Sequence, residues 1–283
     1  MTPSVHPSLY VAPSLANALA ALAERGPQGA PFAGGTWIMR APLRHERTSP
    51  AYVALGRVPE LGRIEIGDDG VVIGAAVTHA RLAASLGHLP DLRVLAEAAG
   101  RSANPAIRGA ATLGGNLCTA GFPAADLVPA LLCLGAEVEI ASPTGAERLS
   151  LEDFLAVRST IGAGRLLTRV LVPRSPARSA HARLPLRKAG DYPVAILSLA
   201  VSRDASARVA QARIAVGSVE PVARRWPALE DALVGTPLDP AAAERAATAL
   251  AIAFTGREGI EAPGWYRVAV LPALVRRAVA ALL

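Results

Sequence analysis

Two pairs of adjacent glycines carry the clearest chemistry in this sequence. Gly34 and Gly35 lie in Ala33-Gly-Gly-Thr36, and Gly114 and Gly115 in Thr112-Leu-Gly-Gly-Asn116. Without a Cβ, a backbone at a strand end can approach a diphosphate closely. Its N–H groups then donate to phosphate oxygens, and a following helix adds a favourable dipole. Thr36 and Thr112 add a hydroxyl to each loop, and Asn116 adds a carboxamide. Taken singly, either pair reads first as a tight turn. The G-x-G-x-x-G fingerprint of ordinary dinucleotide sites is absent, and Gly162-Ala-Gly164 lacks the third glycine.

Other side chains offer less. His45 and His79 are the histidines best placed to carry protons, but Thr78 before His79 reads as a helix cap. No Ser-His-Asp arrangement, carboxylate pair or metal-ligand spacing stands out, which argues against a hydrolase. Cys118 and Cys133 match neither zinc pairs nor iron–sulfur ligand runs. The chain is therefore not expected to carry a cluster itself.

The 283 residues are 52% apolar and 18% charged, which excludes a disordered chain. The richest apolar stretches are broken by Asp126, Pro129 and Glu137, or by Arg267, Pro272, Arg276 and Arg277, so no membrane span is expected. The start has no basic and apolar leader pattern, and a cytoplasmic location is expected. The formal charge of +6 comes almost wholly from scattered Arg, and aromatics make up only 4% of residues. A nucleic-acid partner is therefore not expected.

The elements that must position the glycine loops follow from pattern. Ser14 caps a helix that Gly26-Pro27 stops, and residues 30–33 read as a strand running into the first loop. Trp37-Ile-Met39 can open a short helix. Residues 63–66 and 71–76 flank Gly67-Asp-Asp-Gly70 as a hairpin, and Thr78 caps a helix over 80–86. Residues 92–99 and 127–134 read as helices, and 137–141 and 170–173 as strands. Residues 174–180 carry the Pro, Ser and charge of a linker. Three strands follow at 184–188, 194–202 and 209–217, then three helices at 226–233, 240–253 and 264–282, with Asp239 as a cap.

In order and spacing, Pro31-Phe-Ala-Gly-Gly-Thr-Trp-Ile-Met39, Ala111-Thr-Leu-Gly-Gly-Asn-Leu117 and Pro123-Ala-Ala-Asp-Leu-Val-Pro-Ala-Leu-Leu132 resemble the FAD-binding medium subunit of the molybdenum hydroxylases. Pro13-Ser-Leu-Ala-Asn-Ala-Leu19, Leu151-Glu-Asp-Phe154, Leu166-Leu-Thr168 and Arg187-Lys-Ala-Gly-Asp-Tyr192 extend the resemblance over nearly the whole chain. It implies an α+β fold: a two-lobed FAD-binding domain of the vanillyl-alcohol-oxidase type over 1–175, with lobes of about 1–57 and 58–175. A C-terminal domain over 176–283 would follow, with a three-stranded antiparallel sheet and a helical bundle. There are two departures. Gly164-Arg165 stands where the family often carries an acidic residue, and Ala120-Gly-Phe-Pro123 is one residue longer than the commoner Ala-Ser-Pro form.

Carried over position by position, the resemblance assigns Ala33, Gly34, Gly35, Thr36, Trp37 and Ile38, with Thr112, Gly114, Gly115 and Asn116, to the diphosphate and ribityl chain of FAD. Asp126 would contact the cofactor. Lys188 and Tyr192 would approach the isoalloxazine, Tyr192 governing access of the electron acceptor, and Leu166 would pack near the ring. Implied partners are a small iron–sulfur subunit and a large molybdenum-cofactor subunit, in a dimer of heterotrimers. Two other readings stay open at this point: a stand-alone flavin reductase, similar to the enolpyruvoyl-glucosamine reductases, and a flavin-free assembly subunit.

Overall fold

The computed structural model describes residues 8–186 and 192–283, arranged around three sheets. Strand β1 (Ser8–Val11), helix α1 (Leu15–Arg25) and strand β2 (Gly29–Phe32) form a β-α-β unit, with β3 (Ala51–Ala54) between the two strands and parallel to both. Ser14 Oγ accepts from Asn17 N at 3.2 Å and Gly26, at φ +52, ends α1. Ala18, Leu19, Ala21 and Leu22 make the buried face against this sheet. Parallel pairing of β2 with β3 delivers the first glycine loop to the sheet's C-terminal edge. Beyond it, a 3-10 helix covers Ile38–Arg44.

The second sheet has five antiparallel strands: β4 (Ile64–Ile66), β5 (Gly70–Gly74), β6 (Glu137–Ser142), β7 (Gly145–Ser150) and β8 (Leu166–Pro173), in the order β4-β5-β8-β6-β7. Helices α2 (His79–Leu86), α3 (Arg93–Arg101), α4 (Pro105–Ala110), α5 (Leu113–Cys118), α6 (Leu127–Leu134) and α7 (Leu151–Val157) cover it. Every residue of α6 is buried, because the helix is enclosed by α3 and α5 and by the third sheet. Gly135, at φ +68, ends α6 by donating to the Leu131 and Leu132 carbonyls.

The third sheet is antiparallel, in the order β12-β11-β10-β9: β9 (Arg178–Pro185), β10 (Pro193–Arg203), β11 (Val209–Gly217) and β12 (Arg224–Arg225). The strands expected over 194–202 and 209–217 are present as β10 and β11, whereas the one expected over 184–188 lies earlier, as β9, with 187 and 188 outside the described residues; a two-residue fourth strand extends the sheet. Helices α8 (Pro227–Leu233), α9 (Pro240–Leu250), α10 (Gly264–Ala269) and α11 (Leu271–Ala280) pack on this sheet around Trp226, which meets Phe254 edge-on with ring centroids 4.9 Å apart.

Two expectations need correction. The single helix read over 264–282 is two, because Pro272 has no N–H to donate back into α10. The polar stretch 174–180 is no free linker. Arg174 forms a two-pronged pair with Asp91, and residues 178–180 already belong to β9. Ser179 is buried and does what no residue at the start of α3 does. Its hydroxyl accepts from Val94 N at 3.1 Å and donates to Asp91 O at 2.8 Å. Helix α3 is thus capped from a strand of another sheet.

Ser179→Ala strips a buried donor and a buried acceptor of their partner at once. It should lower the unfolding free energy by about 1–3 kcal/mol, read as a lower urea midpoint with an unchanged denaturant slope.

Candidate functional site

A cleft of about 430 Å³ opens between the first glycine loop, the α4–α5 junction, the start of β8 and the start of β10. Ala33, Gly34, Gly35, Thr36, Trp37, Ile38, Thr112, Gly114, Gly115, Asn116, Asp126, Leu166 and Tyr192 all line it. Lys188 lies outside the described residues.

The two glycine loops solve different problems. Gly35 sits at φ +69, where a Cβ would meet the Phe32 ring at 2.8 Å, and a Cβ at Gly34 would collide with the Ala110 carbonyl oxygen. This close approach joins the first loop to the second. Among the described residues the backbone N–H groups of Gly34, Gly35, Thr36, Trp37 and Ile38 have no acceptor, and the chain resumes hydrogen bonding at Met39 N, which donates to Gly35 O at 2.9 Å. Successive unpaired N–H groups around a left-handed glycine form a concave anion site.

The second pair is not at a strand end as expected. Thr112 caps α5, and the glycines form its first turn. All four leading amides are used inside the protein. Leu113 N donates to Val77 O (2.9 Å), Gly114 N to Ala75 O (2.8 Å), Gly115 N to Thr112 Oγ1 (3.2 Å) and Asn116 N to Thr112 O (3.0 Å). Among the described residues, unpaired backbone N–H donors facing the cleft therefore come from the first loop and not from these four amides. Gly114 is bare because Ala75 packs on it, the Cβ it lacks falling 2.9 Å from that of Ala75. Gly115 is exposed in the cleft, with only Thr112 Oγ1 near a virtual Cβ, at 3.0 Å. Its bareness keeps space open for a ligand. Asn116 Oδ1 accepts from Leu127 N at 3.3 Å, capping α6, and its amide N–H groups have no acceptor among the described residues.

Asp126 stands at the start of α6 but does not cap it. Its Oδ1 accepts from Arg183 Nε of β9 at 2.8 Å and lies 4.0 Å from His181 Nε2. Burial raises the Asp126 carboxyl to about 6, although Arg183 pulls the other way. Burial also lowers His181 to about 3, helped by the charges of Arg101 and Arg183. His79, which the sequence marked as a capping neighbour, is indeed beside a cap, Thr78 Oγ1 accepting from Arg81 N at 3.3 Å. Its buried ring meets Ser102 Oγ through Nδ1 at 2.7 Å, and burial lowers it to about 4. His45 is not among the cleft residues.

At one end of the cleft three aromatic rings meet. Phe122 lies 4.9 Å from the Trp37 ring and 5.1 Å from that of Tyr192, the second contact edge-to-face. Arg44 stacks on Trp37 at 3.8 Å, and Arg40 Nη1 donates to the Tyr192 hydroxyl at 3.4 Å. Phe122, Arg40 and Arg183 were not singled out from the sequence. Only Phe122 carried a signal, the extra residue in its loop. Leu166, the first residue of β8, is buried where the first and second sheets meet.

The comparisons with known proteins agree with one another. The family described as FAD binding domain in molybdopterin dehydrogenase matches residues 4–175, and the CO dehydrogenase flavoprotein C-terminal domain matches residues 180–282. The chain is 31% identical over 250 residues to the nicotine 6-hydroxylase medium subunit of Paenarthrobacter nicotinovorans, covering 88% of this chain and 87% of that one. It is also 31% identical over 270 residues to the carbon monoxide dehydrogenase medium chain of Afipia carboxidovorans, covering 94% and 93%. Among solved structures, reconstituted CO dehydrogenase from Oligotropha carboxidovorans superposes with a TM-score of 0.89 at 28% identity, over 100% of this chain and 99% of that one. Quinoline 2-oxidoreductase from Pseudomonas putida 86 does so at 0.87 and 27%, over 98% and 96%. Among the described residues no helix is long and apolar enough to cross a membrane, and no group of three or more His, Cys, Asp or Glu side chains is placed to hold a metal.

Asp126 gives the cleft a pH signature. Its folded value, about 6, lies above the ordinary 3.8, so folding favours the protonated form. That contribution is complete below pH ~4 and is lost as pH rises through ~6. The stability of Asp126→Asn relative to the wild type should therefore climb by about 2–3 kcal/mol between pH 4 and 7, read from urea midpoints. His79 and His181 have the opposite sign, losing stability as pH falls below their ordinary 6.5, and both are present in the two proteins compared.

Proposed function

Because this chain belongs to the FAD-binding medium subunits of the molybdenum hydroxylases, we propose that it is the electron-transfer subunit of a heteromeric dehydrogenase. In this reading it works beside a small iron–sulfur subunit and a large molybdenum-cofactor subunit, in a cytoplasmic dimer of heterotrimers, and its two domains meet at 175/176. The observation that carries the reading is the run of five amides at residues 34–38 that are unpaired among the described residues, held against a second loop whose Gly115 is bare toward the same cleft. Those groups fit a dinucleotide's diphosphate. FAD, when bound, supplies the reversible uptake and release of electrons.

The residues of the chain divide the remaining work. The amides of 34–38 hold the diphosphate, and Asn116 offers its free amide donors beside them. Gly115 gives the ligand backbone close access. Leu166 and Trp37 supply apolar walls. Asp126, anionic at neutral pH and oriented by Arg183, presents a fixed acceptor at the same end of the cleft. Tyr192 comes from the far side of the chain and covers the ring end, where it governs approach of the acceptor. Lys188 is proposed to act beside it.

The flavin spectrum of the purified chain is the first test, since a flavin-free assembly subunit would be colourless. Expressed alone, the chain should bind FAD without oxidising an organic substrate. Co-expressed with its partners, it should elute in a complex with iron, sulfur and molybdenum. A monomer turning over substrate with FAD alone would replace this reading with that of a stand-alone reductase.

Two substitutions test the site. Gly115→Val should leave the fold intact and weaken FAD binding by about tenfold or more, roughly 1.4 kcal/mol. Stoichiometric flavin in that variant would refute the loop assignment. Tyr192→Ala should alter the stopped-flow reoxidation rate of the flavin more than the FAD content.

A further inference from the structure

Phe122 touches both Trp37 of the first glycine loop and Tyr192 of the C-terminal region, and neither contact follows from the glycine loops themselves. Its own segment is fixed at each end. Arg158 Nη1 donates to Leu117 O at 2.7 Å, Thr119 Oγ1 donates to Gly115 O at 2.6 Å, and Phe122 N closes a turn by donating to Thr119 O at 3.3 Å. On the other side, Ser218 N donates to Pro123 O at 3.1 Å, while Ser218 Oγ donates to Pro193 O at 2.5 Å. One buried serine therefore grips the residue after Phe122 and the residue after Tyr192. The two rings are held to each other through the backbone as well as through their faces.

We propose that Phe122 is a positioning residue whose ring, on a backbone clamped by Ser218, holds Tyr192 against the aromatic end of the cofactor cleft. This rests on the FAD reading above for its consequence, though not for the contact. Edge-to-face packing restricts the Tyr192 ring to one orientation, and the Arg40 contact to its hydroxyl fixes the remaining freedom. Without Phe122, Tyr192 keeps its place in the chain but not its orientation. The cofactor's ring end then loses a wall.

A double-mutant cycle tests this at two levels. In the FAD-free chain, Phe122→Ala, Tyr192→Ala and the double variant are unfolded in urea. The pair should show a coupling of about 2- to 13-fold in the unfolding constant, the range for aromatic pairs. Additive effects would overturn the contact. With FAD, Phe122→Ala should raise the dissociation constant several-fold, increase quenching of bound-flavin fluorescence by iodide and shift reoxidation in the direction of Tyr192→Ala. The double variant should be no worse than Tyr192→Ala alone. Wild-type flavin properties in Phe122→Ala would overturn the positioning role, as would full additivity with Tyr192→Ala. Phe122→Leu, which keeps most of the volume, serves if the alanine variant does not fold, and Phe122→Tyr should restore wild-type behaviour. Failure of the wild-type chain to bind FAD would remove the functional reading instead, and the FAD-free cycle would still decide the contact.

Discussion

Ser218 is fully buried with φ +64, a backbone region that costs a non-glycine residue of order 1–3 kcal/mol. What that strain holds together explains why it persists. Besides its bonds to Pro123 O and Pro193 O, Ser218 offers its carbonyl to Arg257 Nε at 3.0 Å and Arg267 Nη1 at 3.2 Å. Arg267, itself without solvent exposure, also donates to Val194 O at 2.8 Å and pairs with Glu261. The guanidinium lies where several carbonyl oxygens would otherwise be buried without donors. From this junction the start of β10, the loop before α6 and the C-terminal helices take their relative positions, and two of the residues it holds in place, Phe122 and Tyr192, line the cleft.

The chemistry within the cleft follows a division between open and closed backbone groups. The first loop leaves five amides unpaired among the described residues and is kept in shape by glycine geometry and by the Arg44 contact to Trp37. The second uses every leading amide of α5 internally and contributes bare surface and one carboxamide. The first set is open to an anion, and the second leaves the space beside it clear. The Asp126–Arg183 pair, nearly solvent-free, sets a carboxylate on the cleft wall without leaving a lone buried charge.

Much of this was legible in the amino-acid sequence, for identifiable reasons. Helix α6 was read at its true limits because eight apolar residues end in Gly135, and α1 because Ser14 and Gly26 punctuate it. The glycine loops stand out because adjacent glycines flanked by Thr or Asn are distinctive, and Asp126 only because the block around it resembles that of the family; both line the cleft. What failed to show was whatever depends on partners distant in sequence. Nothing in Ser179 or Arg174 says that they hold α3 and Asp91 rather than water, and the polar stretch around them looks like any linker. Arg183 is one arginine among many until β9 is laid beside α6. The second glycine pair was misread as a strand end because Gly-Gly lowers helix propensity. A threonine cap and the Val77 and Ala75 carbonyls outweigh that cost.

The cap that β9 lends to α3 also bears on the order of events during synthesis. Val94 leaves the ribosome 85 residues before Ser179 does, so at 5–20 residues per second the helix waits about 4–17 s for its N-terminal partner. Over that interval the central layer has its sequence but not its closure, and Val94, Leu95 and Ala98 have no third sheet to pack beneath. A nascent chain arrested anywhere in the interval would present an apolar helix face to chaperones, and release from them would be timed by translation of the third sheet rather than by folding of the first two.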